Sequence, residues 1–123
     1  IPKTPKELKT HNCMSYLSLA EGNAWPFEVE GKKYWQSVSG QFSSDNGELL
    51  YEAAMRGCGI VLLPTFIVGR AIAEGKLVVA LEEYEEPDFN IYAVYQHTRH
   101  LSAKIRTFID HMTVCFKDEF INL

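Results

Sequence analysis

The side chains of this chain that could do covalent chemistry are its cysteines and serines. Cys58 lies between Gly57 and Gly59, and it would act as a nucleophile only if the fold brought a histidine beside it. A small thiol where a buried strand begins is more typical of a core residue. Ser43 and Ser44 lack the G-x-S-x-G turn that exposes the serine of a hydrolase. The sequence therefore predicts no catalytic residue, and an enzyme is the least favoured class.

Metal and cofactor binding have as little support in the spacing of the polar residues. The histidines show neither H-x-x-x-H nor H-E-x-x-H spacing; they are His11, His97, His100 and His111. The acidic residues 82–88 lack the alternating ligands and turn glycine of a calcium loop, so we expect a solvated loop. A dinucleotide fingerprint runs from strand through glycine turn to helix, whereas residues 57–59 follow a predicted helix and precede a strand. We expect no metal and no cofactor.

Length, composition and charge narrow the class of protein. The 123 residues suffice for one domain with a core, and 46% hydrophobic with 23% charged residues is typical of a globular protein. The net charge of −4 opposes binding of this chain to a phosphate backbone. No apolar run approaches the roughly 18 residues of a membrane span. Three cysteines without a C-x-x-C pair favour a reducing cytoplasm. The start at Ile1-Pro2 lacks both a methionine and a signal peptide, which indicates a fragment of a longer protein.

The hydrophobic periodicity predicts an alternation of strands and helices. An N-terminal loop over residues 1–10 precedes strands at 13–19, 25–30, 33–42, 59–63, 77–81 and 90–96. Helices are predicted at 45–56, at 66–74 and from 101 onward, with Asp45 as N-cap of the first, and Gly57 and Gly75 as stops. The aliphatic run 59–63 is too short for a buried helix and predicts a strand covered on both faces. The expected fold class is therefore α/β with a parallel sheet.

Two loops follow predicted strands of this sheet and precede helices. Their residues are Ser43, Ser44, Asp45 and Asn46 in the first loop, and Pro64, Thr65 and Phe66 in the second. In an open parallel sheet, ligands bind beyond the carboxyl ends of the strands, where helix N-termini offer unpaired N–H groups. A small-anion site fits this pattern, and so does a purely local role in which the hydroxyl groups cap their own helices. Asp45 argues against a strongly anionic ligand beside it.

Three motif stretches extend this pattern over roughly residues 2 to 117. They are Gly57-x-Gly59-Ile60-x-x-Leu63-Pro64-x-x-x-Val68 continued by Ile72-x-x-Gly75-x-Leu77-Val78, Pro5-Lys6-Glu7-Leu8-x-x-His11-x-Cys13 followed by Trp25-x-Phe27, and Leu101-Ser102-x-Lys104-Ile105-Arg106-x-Phe108-Ile109. Together they resemble the effector-binding domain of LysR-type bacterial transcriptional regulators.

The resemblance implies a fold like that of type 2 periplasmic binding proteins, in which two α/β subdomains joined by two crossing strands hold an effector between them. Residues 1–24 would form the N-terminal loop and first crossover strand. Residues 25–86 would form the second subdomain, with a central, largely parallel sheet flanked by helices. Residues 87–123 would form the return strand and a C-terminal helix that packs on the first subdomain. The winged helix-turn-helix and most of the first subdomain would precede Ile1.

The function implied is an effector-sensing, oligomerising domain of a cytoplasmic regulator. It would bind a small organic acid or aromatic through the seven loop residues, self-associate as a dimer or tetramer, and reach DNA only through the absent N-terminal domain. Without the first subdomain, an apolar face of the last helix would be exposed at Ile105, Phe108 and Met112. The alternative is a transport-type solute-binding protein, because that class shares the fold.

Overall fold

The computed structural model describes residues 1–17, 23–85, 94 and 102–120, the last four by backbone alone. The chain divides into two compact units, Ile1–Pro87 and Asp88–Leu123. The described strands are β1 (Cys13–Tyr16), β2 (Ala24–Val29), β3 (Lys32–Ser37), β4 (Ser43–Ser44) and β5 (Ile60–Val61). The helices are α1 (Gly47–Met55), α2 (Thr65–Ala73) and α3 (Ala103–Phe120), with 3-10 helices at Pro5–Thr10 and Glu82–Tyr84. None of the described helices is long and apolar enough to cross a membrane.

A three-stranded parallel sheet forms the framework of the first unit, as predicted. The strand order is β4-β1-β5, and β1 pairs in parallel with both neighbours, Tyr16 facing Ser44 and Met14 facing Val61. Met14 and Leu50 are fully buried where α1 packs on the sheet. The strand predicted at 59–63 is confirmed only at Ile60–Val61, and it is half-buried, so the prediction that both of its faces are covered is wrong.

The strand predicted at 33–42 is confirmed only in its first part, as β3, and the next strand along the chain belongs to a different sheet. β3 ends at Ser37 and pairs antiparallel with β2, through a turn at Glu30 and Gly31. Residues 43–44 then form β4 of the parallel sheet. The buried alternation of Trp25 and Phe27 on β2 directs one face of this hairpin into a core. Ser43 and Ser44 therefore lie in a strand and not in the loop that follows it.

The helix stops predicted at two glycines are confirmed. Gly57 has φ of 71° and Gly75 has φ of 69°, the left-handed conformation that glycine adopts without strain. After α1, the N–H of Gly57 donates to Ala54 O at 2.8 Å and the N–H of Cys58 donates to Ala53 O at 3.0 Å. This pair of bonds is a Schellman motif, and it satisfies carbonyl groups that the end of a helix leaves free.

The predicted N-terminal loop is wrong over part of its length, since Pro5–Thr10 forms a 3-10 helix. Leu8 drives this ordering, because it is fully buried against Trp25 and Phe27. The strand predicted at 77–81 is also wrong. The side chain of Val78 is 70% exposed, and Leu81 has φ of 66°, which lies outside the strand region.

The acidic residues are exposed as predicted where the structure describes them, at Glu82, Glu83 and Glu85, but Glu82–Tyr84 forms a short 3-10 helix in place of the predicted loop. The strand predicted at 90–96 lies outside the described residues apart from Val94.

The predicted last helix is confirmed as α3, which forms most of the described part of the second unit. The hydroxyl oxygen of Ser102 accepts from the N–H of Ile105 at 3.4 Å and so caps the helix start. Ile105 and Phe108 are exposed as predicted, whereas Met112 is half-buried.

Candidate functional site

The two predicted site loops leave the parallel sheet at the same edge. β4 and β5 run parallel on either side of β1, so their carboxyl ends point the same way. Two strand spacings separate them, or about 9–10 Å. Beyond β1, the N–H of Leu17 donates to Ser44 O at 3.0 Å, which extends the pairing to the edge itself. Ser44 and Thr65 therefore lie at the same edge of the sheet and not on opposite sides of it.

The close approach of α1 and α2 brings the two loops together. Gly47, the first residue of α1, is buried, and a Cβ added there would lie 2.7 Å from Ile67 Cδ1. The same position is 3.7 Å from Leu63 Cδ2 and 3.8 Å from Tyr16 Cζ. The start of α1 is thus packed directly on the first turn of α2 and on the end of β1. Only a residue without a side chain fits between them without displacing Ile67.

The first loop uses its polar groups to cap its own helix. Asn46 Oδ1 accepts from the N–H of Glu48 at 3.0 Å and from the N–H of Leu49 at 3.3 Å. Ser44 Oγ accepts from the N–H of Asn46 at 3.0 Å and holds the capping residue in place. The prediction that Asp45 is the N-cap is wrong, because Asn46 is the residue that leaves the helical conformation, with φ of −103° and ψ of 108°. Capping of α1 therefore accounts for the hydrogen bonds that the side chains of Ser44 and Asn46 accept.

The second loop leaves the start of α2 uncapped. Pro64 occupies the N-cap position and makes no side-chain cap bond. The N–H of Ile67 donates to Pro64 O at 3.0 Å, but the N–H groups of Thr65 and Phe66 have no acceptor among the described residues. The hydroxyl group of Thr65 likewise has no partner in the part of the chain that the structure describes. Two amides, one hydroxyl group and the positive end of the α2 dipole thus face outward together.

The surroundings of this helix start are apolar and carry little charge. The ring of Phe66 is 70% exposed, and Leu17 and Leu49 also expose apolar side chains beside the two loops. Of the seven predicted site residues, Asp45 alone carries a formal charge. The arrangement can donate hydrogen bonds to an anionic oxygen and can contact an apolar body.

Tyr16 is a residue of this edge that the sequence analysis did not select. It ends the central strand β1, lies between the two loops, and is half-buried. Its hydroxyl group has no hydrogen-bond partner among the residues described. The signal that would have identified it is its place as the last residue of the strand that both site strands flank.

In the described residues, no three His, Cys, Asp or Glu side chains gather as metal ligands. The expectation that Cys58 is a core residue is wrong, because it lies in the Schellman cap before β5 and is exposed. The buried thiol is that of Cys13, and burial raises its pKa.

Comparison with known proteins gives one consistent family. The family described as LysR substrate binding domain matches residues 1–114. The chain is 32% identical to the HTH-type transcriptional regulator CrgA of Neisseria meningitidis, over 90% of this chain and 37% of that protein. It is 32% identical to the HTH-type transcriptional activator TtdR of Escherichia coli, over 90% of this chain and 36% of that protein. The chain thus spans little more than a third of the length of these relatives.

Solved structures agree with the sequence relatives. The regulatory domain of CrgA superposes with a TM-score of 0.62 at 32% identity, covering 71% of this chain and 42% of that one. The regulatory domain of AphB from Vibrio vulnificus superposes with a TM-score of 0.71 at 27% identity, covering 93% of this chain and 56% of that one.

Proposed function

The chain belongs to the LysR substrate-binding domain family, and on that premise we propose that it forms half of an effector site in a bacterial transcription regulator. Residues 25–86 act as the second effector-binding subdomain, and the opposite wall of the site comes from a first subdomain that precedes them. The effector is a small organic acid or aromatic, held at the edge of the parallel sheet where β4 and β5 end. Relatives named as transcriptional regulators favour this role over a transport-type binding protein.

One observation carries the proposal, and it is the difference between the two loops. Asn46 fills the start of α1, whereas the start of α2 keeps two N–H groups without an acceptor in the described residues. Hydrogen bonds to a charged group contribute about 1.5–3 kcal/mol each, and a helix N-terminus adds about 0.3–1 kcal/mol for an exposed anion. A carboxylate seated on Thr65 and Phe66 would satisfy both amides at once.

The charge and apolar surface of the edge favour a monoanion with an apolar body. The exposed ring of Phe66 offers a surface on which an aromatic or aliphatic group can pack. Asp45 repels a second negative charge on the ligand, since its side chain is exposed beside the same edge.

The seven predicted residues divide between direct contact and support. Pro64, Thr65 and Phe66 supply the contacts at α2, while Ser43 from β4 and Asp45 from the loop after it face the ligand on the other side. Ser44 and Asn46 hold that loop through the cap of α1, so they act on the ligand indirectly.

Signalling in this proposal is a population shift and needs no catalytic step. An effector that contacts both subdomains binds the closed arrangement more tightly than the open one, and it moves the equilibrium by that difference in affinity. The regulator is cytoplasmic, assembles as a dimer or tetramer through these domains, and contacts DNA through its N-terminal domain. The exposed apolar residues Ile105 and Phe108 of α3 are the surface on which the first subdomain packs.

The proposal is tested with the complete regulator, a reporter gene and a thermal-shift panel. Benzoate and acetate serve as anionic probes, and benzamide is the uncharged match for benzoate. We expect the anions to raise the melting temperature of the wild type, and we expect a smaller rise in Thr65→Ala. Without ligand, Thr65→Ala should melt at the same temperature as the wild type. Thr107→Ala, an exposed threonine on α3, is the matched control and should respond as the wild type does. Equal responses of Thr65→Ala and wild type to every stabilising acid would refute the placement of the site.

A further inference from the structure

A thiol and an imidazole lie side by side on α3, in a unit of the chain that contains none of the seven effector-site residues. Cys115 Sγ lies 3.5 Å from His111 Nε2, within hydrogen-bond distance for a thiol, and the two residues are one helical turn apart. His111 is exposed and Cys115 is half-buried, so solvent reaches the pair. The effector site makes no use of either residue. The H-x-x-x-C spacing of this pair differs from the H-x-x-x-H and H-E-x-x-H patterns of histidine metal sites.

The distance between the two atoms is the one that two ligands of a tetrahedral zinc ion require. With Zn–S near 2.3 Å and Zn–N near 2.0–2.1 Å, the edge between a sulfur and a nitrogen ligand is roughly 3.5–3.6 Å. The side chains of residues four apart lie on one face of a helix, so both ligand atoms belong to the same face of α3. A cation can therefore bind between them when the thiol loses its proton and the imidazole turns its Nε2 lone pair from the sulfur toward the metal.

We propose that His111 and Cys115 chelate a zinc-class divalent cation through Nε2 and Sγ. Thiolate with imidazole selects zinc-like cations over magnesium and calcium, which prefer oxygen ligands. Binding releases the thiol proton to solvent as the metal–sulfur bond forms, and the imidazole binds in its neutral form. The two remaining positions of the tetrahedron are filled by water or by the same pair of a second copy.

The other cysteines of the described residues offer no comparable pair. Cys13 is buried and its thiol donates to Leu8 O at 3.6 Å. Cys58 is exposed and has no hydrogen bond to a histidine among the described residues. Cys58 therefore serves as a matched control, because it is an exposed thiol that lacks the neighbouring imidazole.

The test is a cobalt and zinc titration of the 123-residue chain, kept reduced with a phosphine. Co²⁺ should produce a sulfur-to-cobalt charge-transfer band, and Zn²⁺ should displace it, whereas Mg²⁺ should not. Cys115→Ser should abolish the band, and His111→Ala or His111→Gln should weaken zinc binding at least tenfold. Cys58→Ser should leave the band and the affinity unchanged. Circular dichroism of each variant shows whether the helix α3 still forms. The test of the histidine ligand needs only one of the two His111 variants to retain that helix.

The stoichiometry distinguishes the two ways to complete the site. One metal per chain with unchanged light scattering supports completion by water. One metal per two chains, with a doubled mass, supports the second copy. A band that survives Cys115→Ser but disappears in Cys58→Ser would overturn the proposal, as would the absence of any band at saturating Co²⁺.

Discussion

The contrast between the two helix starts gives the sharpest prediction about single side chains. In Asn46→Ala, α1 loses an acceptor for the N–H groups of Glu48 and Leu49, which it now binds at 3.0 and 3.3 Å. Loss of an N-cap costs about 0.5–2 kcal/mol, and a cap that satisfies two amides belongs in the upper half of that range, about 1–2 kcal/mol. In Thr65→Ala, no hydrogen bond within the described residues is lost, because the hydroxyl group has no partner there. We expect a change within about 0.5 kcal/mol.

Urea denaturation followed by far-ultraviolet circular dichroism measures both changes. In a thermal melt of a chain of this size, each kcal/mol of lost stability lowers the melting temperature by roughly 3–6 °C, and Asn46→Ala should show this fall. The slope of the unfolding free energy against urea should stay constant, since neither variant changes the surface that unfolding exposes. Asn46→Asp is the control, because aspartate also accepts at an N-cap, and it should keep most of the stability.

A result in which Thr65→Ala costs as much as Asn46→Ala would refute this reasoning. The hydroxyl group of Thr65 would then be a structural cap, and the start of α2 would be closed to a ligand in the same way as the start of α1.

Three further outcomes follow from the packing and charges of the first unit. Gly57→Val should lower the unfolding free energy by more than about 1 kcal/mol in chemical denaturation, because Gly57 has φ of 71°, and an unchanged midpoint would contradict the cap. Gly47→Ala should also destabilise the chain, since its Cβ would lie 2.7 Å from Ile67 Cδ1, and Ile67→Val in the same chain should restore part of the loss. Lys76, with Arg70 second, holds the pKa of Glu74 at about 2, below the ordinary 4.5. The stabilisation from these partners is therefore present above pH 4.5 and is lost as the pH falls toward 2. A carboxyl titration by NMR should show the pKa of Glu74 rising toward 4.5 in Lys76→Ala, and no rise would contradict the pairing.

The features predicted correctly from sequence are those that one residue type or one short pattern determines. The left-handed stop at Gly57 follows because few other residues adopt positive φ without strain, and the run after it fits only a strand. Two predicted strands that each lead into a helix were enough to predict that the sheet is parallel and that the two following loops lie at the same edge of it. The family resemblance added the proposal that this edge is an effector site, which geometry alone left open.

The features predicted wrongly depend on backbone conformation or on distant contacts, which a short sequence pattern does not specify. Asp45 and Asn46 are both good N-caps, and only the backbone shows which one leaves the helix. Residues 77–81 have the composition of a buried strand, but an apolar run carries no information on whether a pairing partner lies beside it. Leu8 stands alone without any period, and its burial against Trp25 orders the segment around it.

The central claim is that a small acid binds at the uncapped start of α2 and not at the capped start of α1. The most direct test is a titration of the isotope-labelled complete regulatory domain with benzoate, followed by amide NMR. We expect the amide signals of Thr65 and Phe66 to shift with saturation, while those of Glu48 and Leu49 stay nearly fixed. Saturable shifts at Glu48 and Leu49, with Thr65 and Phe66 unmoved, would contradict the account.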